Sequence, residues 1–424
     1  MNIRAIFKQN KRRLLLLCSV LGCATFVYLL FIQYSYNKAL NQEHDAISKA
    51  LKRNKSAIEL DIGKNRSELL FLFLTPPIQG MARANNEQNF DQLENTTLDQ
   101  WLHRLEQITI AYMQNNQDIK QIRIIKNNKE GSELLKVYKI EGQVRSAGKD
   151  FLQNKGQREY FIQTAALNPN EEYISDISLN REFGSIEYPT WATYRVARPI
   201  YHQREELFGI MIINVDATPL LNKLRSDELV KTSVLTSDSH YLVAQNTNLE
   251  FAHELGINNS DWQSVTGIDF IPDDEKIKQV EIAGETHWMI GTKVWLSTRT
   301  GDHRYLHLVQ SFSGNDVTAL YAESKFISLM VITFVSLILL VILDTYQRHL
   351  ERLTLLNENQ LRFKAIVLGS SDAMVGISSN GQINNWNPAA SYLFGMKESF
   401  ALNSLFDNLI SAYDKNTQQK LKDG

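Results

Sequence analysis

Arg158, Tyr160 and Phe161 stand in the order Arg-x-Tyr-Phe-x-x-x-Ala, which ends at Ala165. A guanidinium can grip a ligand carboxylate through two parallel hydrogen bonds. Aromatic walls beside it would keep water out. The same arginine could instead pair with a nearby acid and only hold the fold. The densest polar stretch follows at YISDISLNREFG, with Tyr173, Asp176, Asn180, Arg181 and Glu182. Such residues can line a pocket, or they can bond their own backbone and scaffold a loop. Arg195 and Arg198 come one strand later, three residues apart. Strand parity puts them on opposite faces, so at most one can point into a shared site.

His303 and His307 would share a strand face, but no third ligand lies beside them and no His-Glu-x-x-His pattern occurs. Solvated or interface histidines are the reading preferred, so no metal site is expected. No Walker A, Gly-x-Ser-x-Gly or Cys/His constellation appears, so no catalytic residue is assigned.

These residues need elements to hold them. Ser35 to Phe73 has helical apolar spacing, with Leu40, Ile47, Leu51, Ile58 and Ile62 on one stripe, and should stop near Pro76-Pro77. A second amphipathic helix is predicted from Leu98 to Met113, with Trp101, Leu105, Ile108 and Tyr112 inward and a cap from residues 95–97. IKQIRIIK (119–126) and ELLKVYKI (133–140) read as a hairpin, and a short helix is expected at 157–166. YRVARPIY (194–201) and FGIMIINV (208–215) form a second strand pair around the polar turn HQREEL. After a helix-like run from Pro219, strands are expected near 233–236, 241–244, 278–283, 288–296 and 305–312.

The chain has 424 residues, with 45 basic and 47 acidic side chains and a net charge of -2. That balance argues against nucleic-acid binding. None of the charges falls in 14–32 or in 326–343. Apolar runs of this length match the hydrocarbon thickness of a bilayer. The first is too long for a signal-peptide core and no small-residue cleavage site follows it, so it reads as a retained anchor. Arg4, Lys8, Lys11, Arg12 and Arg13 precede it, and Arg348, Arg352, Arg362 and Lys364 follow the second run. The positive-inside rule then places both termini in the cytoplasm and exports residues 33–325. The two cysteines, Cys18 and Cys23, lie in the first run, and an exported region without thiols suits a bacterial periplasm.

Several stretches resemble a known family: FLQNKGQREYF, YISDISLNREFGSIEYP, YRVARPIY and FGIMIINVDATPLL within 151–224, and LLFLFLTPPIQGMARANN at 69–86. They look like the double Cache, or tandem PAS-like, sensor region of bacterial transmembrane receptors, of the type on sensor histidine kinases and some diguanylate cyclases. The resemblance covers about 69–320 and is specific at 151–216. It implies an α+β fold, with a long N-terminal helix and two PAS-like lobes between two transmembrane helices. The lobes would be a distal one at about 75–220 and a membrane-proximal one at about 221–320. Amino-acid-binding members carry Arg-x-Trp-Tyr where this chain has Arg158-x-Tyr160-Phe161, and an acid at the end of a later strand, here Asp216. Asn214 shares its strand face by parity. A carboxylate there could take an ammonium. The changed aromatic pair means amino-acid specificity does not carry over. The ligand-binding set implied is Arg158, Tyr160, Phe161, Tyr173, Asp176, Arg195, Asn214 and Asp216.

Past the second span, Leu343, Tyr346, Leu350 and Leu353 are spaced 3-4-3, a coiled-coil seam that could relay signals in a homodimer or pack on its own domain. Residues 344–362 would be this linker. FKAIVLGSSDAMVGISSNGQINNWNPAASYLFG, from 363, resembles the start of a PAS domain. The 62 residues from 363 to 424 fall short of the roughly 100 such a domain needs, so a longer receptor is expected. No cofactor is assigned. The function implied is sensing of a small periplasmic ligand, with a carboxylate-bearing one compatible with the arginines, and relay to a cytoplasmic output. A histidine kinase with a response-regulator partner comes first, then a diguanylate cyclase or chemoreceptor. A membrane-tethered binding protein without output is the rival from another class.

Overall fold

The computed structural model describes residues 3–409 apart from 87–88, 203–205, 226–229, 298 and 300–301. Phe31–Phe326 form one compact unit, and Met1–Leu30 with Ile327–Gly424 form another.

Helix α1 (Ile3–Phe73) carries the apolar N-terminal run and the predicted amphipathic stretch without a break. Ile47, Leu51, Ile58, Ile62 and Leu69 are buried along one stripe, as their spacing of four and seven requires. Helix α1 ends at Phe73, next to Pro76-Pro77 as expected. A second helix, α2 (Pro76–Asn86), starts there, because a proline at a first helical position loses no bond. Two-residue strands β1 (Phe90–Asp91) and β2 (Thr96–Thr97) pair next. Thr97 then caps α3 (Leu98–Asn115) in a capping box with Gln100. Leu98, Trp101, Leu105, Thr109 and Met113 are buried on α3, while Ile108 and Tyr112 are half-buried against the same core.

The first large sheet is built from β3 (Ile119–Lys126), β4 (Glu133–Ile140) and β5 (Gln143–Ser146), then short helix α4 (Glu159–Ala165). It continues with β6 (Tyr173–Ile174) and β7 (Ser178–Leu179), and a separate small hairpin of β8 (Arg181–Glu182) and β9 (Ser185–Ile186). Long strands β10 (Ala192–Tyr201) and β11 (Leu207–Asp216) complete it, in the antiparallel order β5-β4-β3-β11-β10-β6 with β7 on β10. The predicted hairpin is β3–β4; β5 was not anticipated. Most of the polar turn between β10 and β11, residues 203–205, lies outside the described residues.

The second sheet follows α5 (Thr218–Arg225); part of the helix-like run, residues 226–229, lies outside the described residues. Its elements are β12 (Lys231–Leu235), β13 (Tyr241–Val243), α6 (Trp262–Thr266), β14 (Lys278–Ile282), β15 (Glu285–Trp295) and β16 (Tyr305–Ser313). The order is β13-β12-β16-β15-β14. With β5 at the edge and β7 set aside, strands β3, β4, β6, β10 and β11 of the first sheet read second, first, fifth, fourth, third, as do β12–β16 of the second. This repeated order is the tandem PAS-like arrangement of the α+β fold. Strand alternation splits each sheet into two faces. On β11, Met211, Ile213 and Val215 join the core around α1, while Ile210 and Ile212 join a separate cluster on the other face.

Helix α7 (Gly314–Gly369) carries the second apolar run, and it and α1 are long and apolar enough to cross a membrane. Leu343 lines a cleft with Leu14, Leu17 and Leu340, whereas Tyr346, Leu350 and Leu353 are exposed in the single chain. Beyond α7 come β17 (Val375–Ile377), β18 (Ile383–Trp386), α8 (Pro388–Phe394) and α9 (Glu398–Ala401). Asn387 caps α8 as the Asn-Pro pair predicts, accepting from Ala390 N at 2.8 Å. Its amide also donates to the carbonyls of Val367 and Asp372, which ties α7 to the small domain. Residues 410–424 lie outside the described residues.

Candidate functional site

The face of the first sheet turned away from α1 carries a buried polar network. Gln121 and Arg123 project from β3 and Lys136 from β4, and all three are buried. Register explains why they meet: Arg123 faces Lys136 and Gln121 faces Tyr138 across the β3–β4 pair. The loop before α4 brings Gln153 and Lys155 onto the same face. Its backbone is pinned to the hairpin turn, with Lys155 N donating to Gly131 O and Gly156 N to Glu130 O, both at 2.8 Å. Gly131 has φ 59°, and a Cβ there would sit 2.4 Å from Gly156 N, so the approach requires glycine.

Glu182, from the β8–β9 hairpin, is the centre of this network. Its Oε1 accepts from Gln121 Nε2 at 2.8 Å and from Arg123 Nη2 at 2.9 Å. Its Oε2 accepts from Gln153 Nε2 at 2.9 Å and from Lys136 Nζ at 3.2 Å. Burial would raise this carboxyl, but Arg123, Lys136 and the two glutamines outweigh it and hold it at about 2. Arg123 also pairs with buried Glu133, Nε to Oε1 at 3.4 Å. Lys155 donates to Gln153 Oε1 at 2.6 Å, and burial with Arg123 nearby lowers its ammonium to about 8. A cavity of about 620 Å³ borders the network, with Gln121, Lys136, Tyr138, Glu182, Phe183 and Trp191 among its walls.

The sequence-predicted residues divide around this centre. Asn214 is fully buried and donates to Gln121 Oε1 at 3.2 Å and to Asn180 Oδ1 at 3.4 Å. Arg195 reaches Asn180 Oδ1 at 3.5 Å and lies 5.4 Å from the ring centre of Tyr160. Burial lowers the Arg195 pKa, and its Nε has no hydrogen-bond partner. Asn214, Arg195 and Tyr160 are thus joined to the Glu182 network. Arg158 precedes α4 at its N-cap and is half-buried. Phe161 and Tyr173 pack in the apolar cluster of Ile125, Leu167 and Ile212.

Two residues point elsewhere. Asp176 is turned toward the second lobe, where Arg304 lies 4.1 Å from the ring centre of Tyr173. Burial raises the Asp176 carboxyl despite Arg304, and its Oδ1 lacks a partner. Asp216 does not accompany Asn214 into the network as parity suggested. The pairing of β11 with β10 runs without a shift from Asn214 to Asp216, and the extra residue of the β11–β3 bulge is Lys120 of β3. Asp216 accepts from Thr218 N at 2.9 Å and pairs with Lys120 at 3.3 Å. Arg195 and Arg198 do fall on opposite faces: Arg198 donates to Asn170 O at 2.7 Å and lies over Phe73. His303 precedes β16 rather than sharing a strand with His307, and no group of three metal-capable side chains occurs among the described residues.

Sequence reasoning missed Gln121, Arg123, Glu133, Lys136, Gln153 and Lys155. The available signal was parity. Gln121 and Arg123 alternate with apolar Ile122 and Ile124 on one strand, which marks a polar sheet face.

Residues 84–260, containing this whole network, match the model of the bacterial histidine kinase sensor domain. The matched segment lies in sequence between the two long apolar helices. A search of curated proteins gives no match. Among solved structures, the chain is similar to the extracellular domain of vpHK1S-Z8, assigned as a histidine kinase, at 15% identity and TM-score 0.48, covering 67% of this chain and 95% of that one. A domain from a Vibrio parahaemolyticus protein assigned to the sensory box/GGDEF family gives 16% and 0.48, covering 66% and 99%. The ligand-binding domain of the Campylobacter jejuni chemoreceptor Tlp3, solved with 4-methylisoleucine, gives 14% and 0.45, covering 66% and 94%.

Proposed function

We propose that this chain is the sensory part of a bacterial inner-membrane receptor. Its first sheet lobe, about 75–220, binds a small periplasmic ligand, and a membrane-proximal lobe follows at about 221–320. Residues 14–32 and 326–343 span the bilayer, both termini are cytoplasmic, and residues 33–325 are exported. The basic residues flanking the two apolar runs support that orientation. Ligand occupancy biases a two-state equilibrium, which α7 and the seam at Leu343, Tyr346, Leu350 and Leu353 pass to the PAS-like segment of a homodimer. The output is a histidine kinase acting on a response regulator, with a diguanylate cyclase as the second reading. The single observation that carries the binding role is the buried charged network beside the 620 Å³ cavity, inside the matched sensor region. Buried ions are costly unless paired, so they concentrate where a site uses them.

Calorimetric titration of the full chain in detergent with a panel of small metabolites tests this. Saturable binding is expected, weakened at least tenfold by Lys136→Met. Absence of binding across the panel, or binding indifferent to Lys136, would refute the assignment. Unchanged affinity in Arg158→Ala would remove Arg158 from the site.

A further inference from the structure

We propose that the cradle of Gln121, Arg123, Lys136 and Gln153 is the binding site of a small carboxylate anion, and that Glu182 is a tethered stand-in which the ligand displaces. This rests on the reading of the first lobe as the ligand-binding one.

Four donors from three segments converge on the two oxygens of a single carboxylate. A structural ion pair would be served by one or two. The donors and their acceptor are held very differently. Arg123 and Lys136 face each other in register on central strands of the large sheet. Glu182 sits on a two-residue strand whose hairpin makes only two register pairs, Arg181 with Ile186 and Glu182 with Ser185. The turn passes through positive φ at Phe183 and Gly184, and the Phe183 side chain is 74% exposed. The cradle is therefore rigid and its present occupant is on a small, separable unit.

Access and charge agree. Glu182, Gln121 and Lys136 are all walls of the 620 Å³ cavity, so an anion in the cavity can exchange with the Glu182 carboxylate without opening the sheet. The network holds Arg123, Lys136 and Lys155 against Glu133 and Glu182. Withdrawing Glu182 leaves three cations facing one carboxylate, which an anionic ligand neutralises and a cation would aggravate. A zwitterion would bring an ammonium into an already cationic site.

The strap that carries Glu182 also touches the second lobe. Glu254 accepts from Leu179 N at 2.8 Å and pairs with Arg181 at 3.4 Å. Residues 179–182 thus bind the cradle at one end and the second lobe at the other, so displacement of Glu182 would be felt at Glu254.

The test is calorimetric titration of the full chain in detergent with succinate, leucine and choline, on wild type, Glu182→Gln, Glu182→Asp and Glu182→Gln/Lys136→Met. Succinate should bind Glu182→Gln at least tenfold tighter than wild type, because a neutral amide competes less well for the cations. Glu182→Asp, with its carboxylate drawn back by one methylene, should give a smaller gain, and the double variant should lose it. Succinate affinity unchanged within twofold in both single variants would overturn the inference, since a merely structural Glu182 would leave it so. Leucine or choline binding that ignores residue 182 would overturn it too, while leaving the sensor reading standing. Silence of all three probes on every folded variant would take down both.

Discussion

The two sheet lobes share one strand order but bury opposite chemistry on the face turned away from α1. In the first lobe that face holds Arg123, Lys136, Lys155, Glu133 and Glu182, all wholly or largely buried. In the second it holds Leu235, Tyr241, Trp262, Ile268, Met289 and Val309. There the chain also closes down on the sheet: a Cβ on Gly291 would meet Pro272 O at 2.2 Å. In the first lobe a cavity remains beside the equivalent face. Topology therefore does not decide the chemistry of the buried face. The side chains at alternate strand positions decide it, together with how close the covering loop lies.

The comparison is broken most severely by removing a buried charge. Arg123→Met leaves Glu133 and Glu182 without their shared cation, and should cost about 3–5 kcal/mol in chemical denaturation. Exchange of amide hydrogens should then rise in β3 and β4 and stay low in β12 and β16. Trp262→Ala is the counterpart in the apolar lobe, costing about 3–5 kcal/mol through lost burial and a residual cavity. It should raise exchange in the second lobe and leave affinity at the first unchanged.

Acid sharpens the contrast. Burial, with Lys293 adding to it, holds the His307 imidazole down at about 4. An unfolded histidine titrates near 6.5, so between these values only the unfolded chain takes up the proton, and stability falls as pH drops. Glu182 is depressed to about 2 from an unfolded value near 4.3. Its contribution is full above 4.3 and is lost as pH falls toward 2. Hydrogen exchange followed from pH 7 to 2 should therefore loosen the second lobe first. His307→Phe should remove that early step, and loss of both lobes together at pH 6 would contradict the assignment.

The smallest effect is expected at the surface. Lys55 and Glu275 pair at 2.8 Å while partly exposed, so Lys55→Ala should cost about 1 kcal/mol or less, and less still in high salt.

Much of this molecule was legible from its residues. The Thr97 cap, the α1 stripe, the β3–β4 hairpin and the Asn387-Pro388 helix start are local, and their signals lie within a few residues of where they act. The candidate site was legible only in part. Arg195, Tyr160 and Asn214 were found and do join the network, and Glu182 was visible as one of a polar cluster. Asp216 keeps the strand parity of Asn214 but is taken up by Thr218 N and by Lys120, the bulged residue of β3, which periodicity alone does not reveal. The α2 helix hid behind two prolines usually read as a stop.

The sequence by itself determined the two apolar runs and the main helices and long strands, because periodicity and capping act over one or two turns of chain. Only the tertiary structure decided that Arg123, Lys136, Gln153 and Glu182 meet at one point. Their convergence depends on strand register and on a loop pinned across the hairpin turn, and such contacts bring together residues as far apart as Arg123 and Glu182, 59 positions.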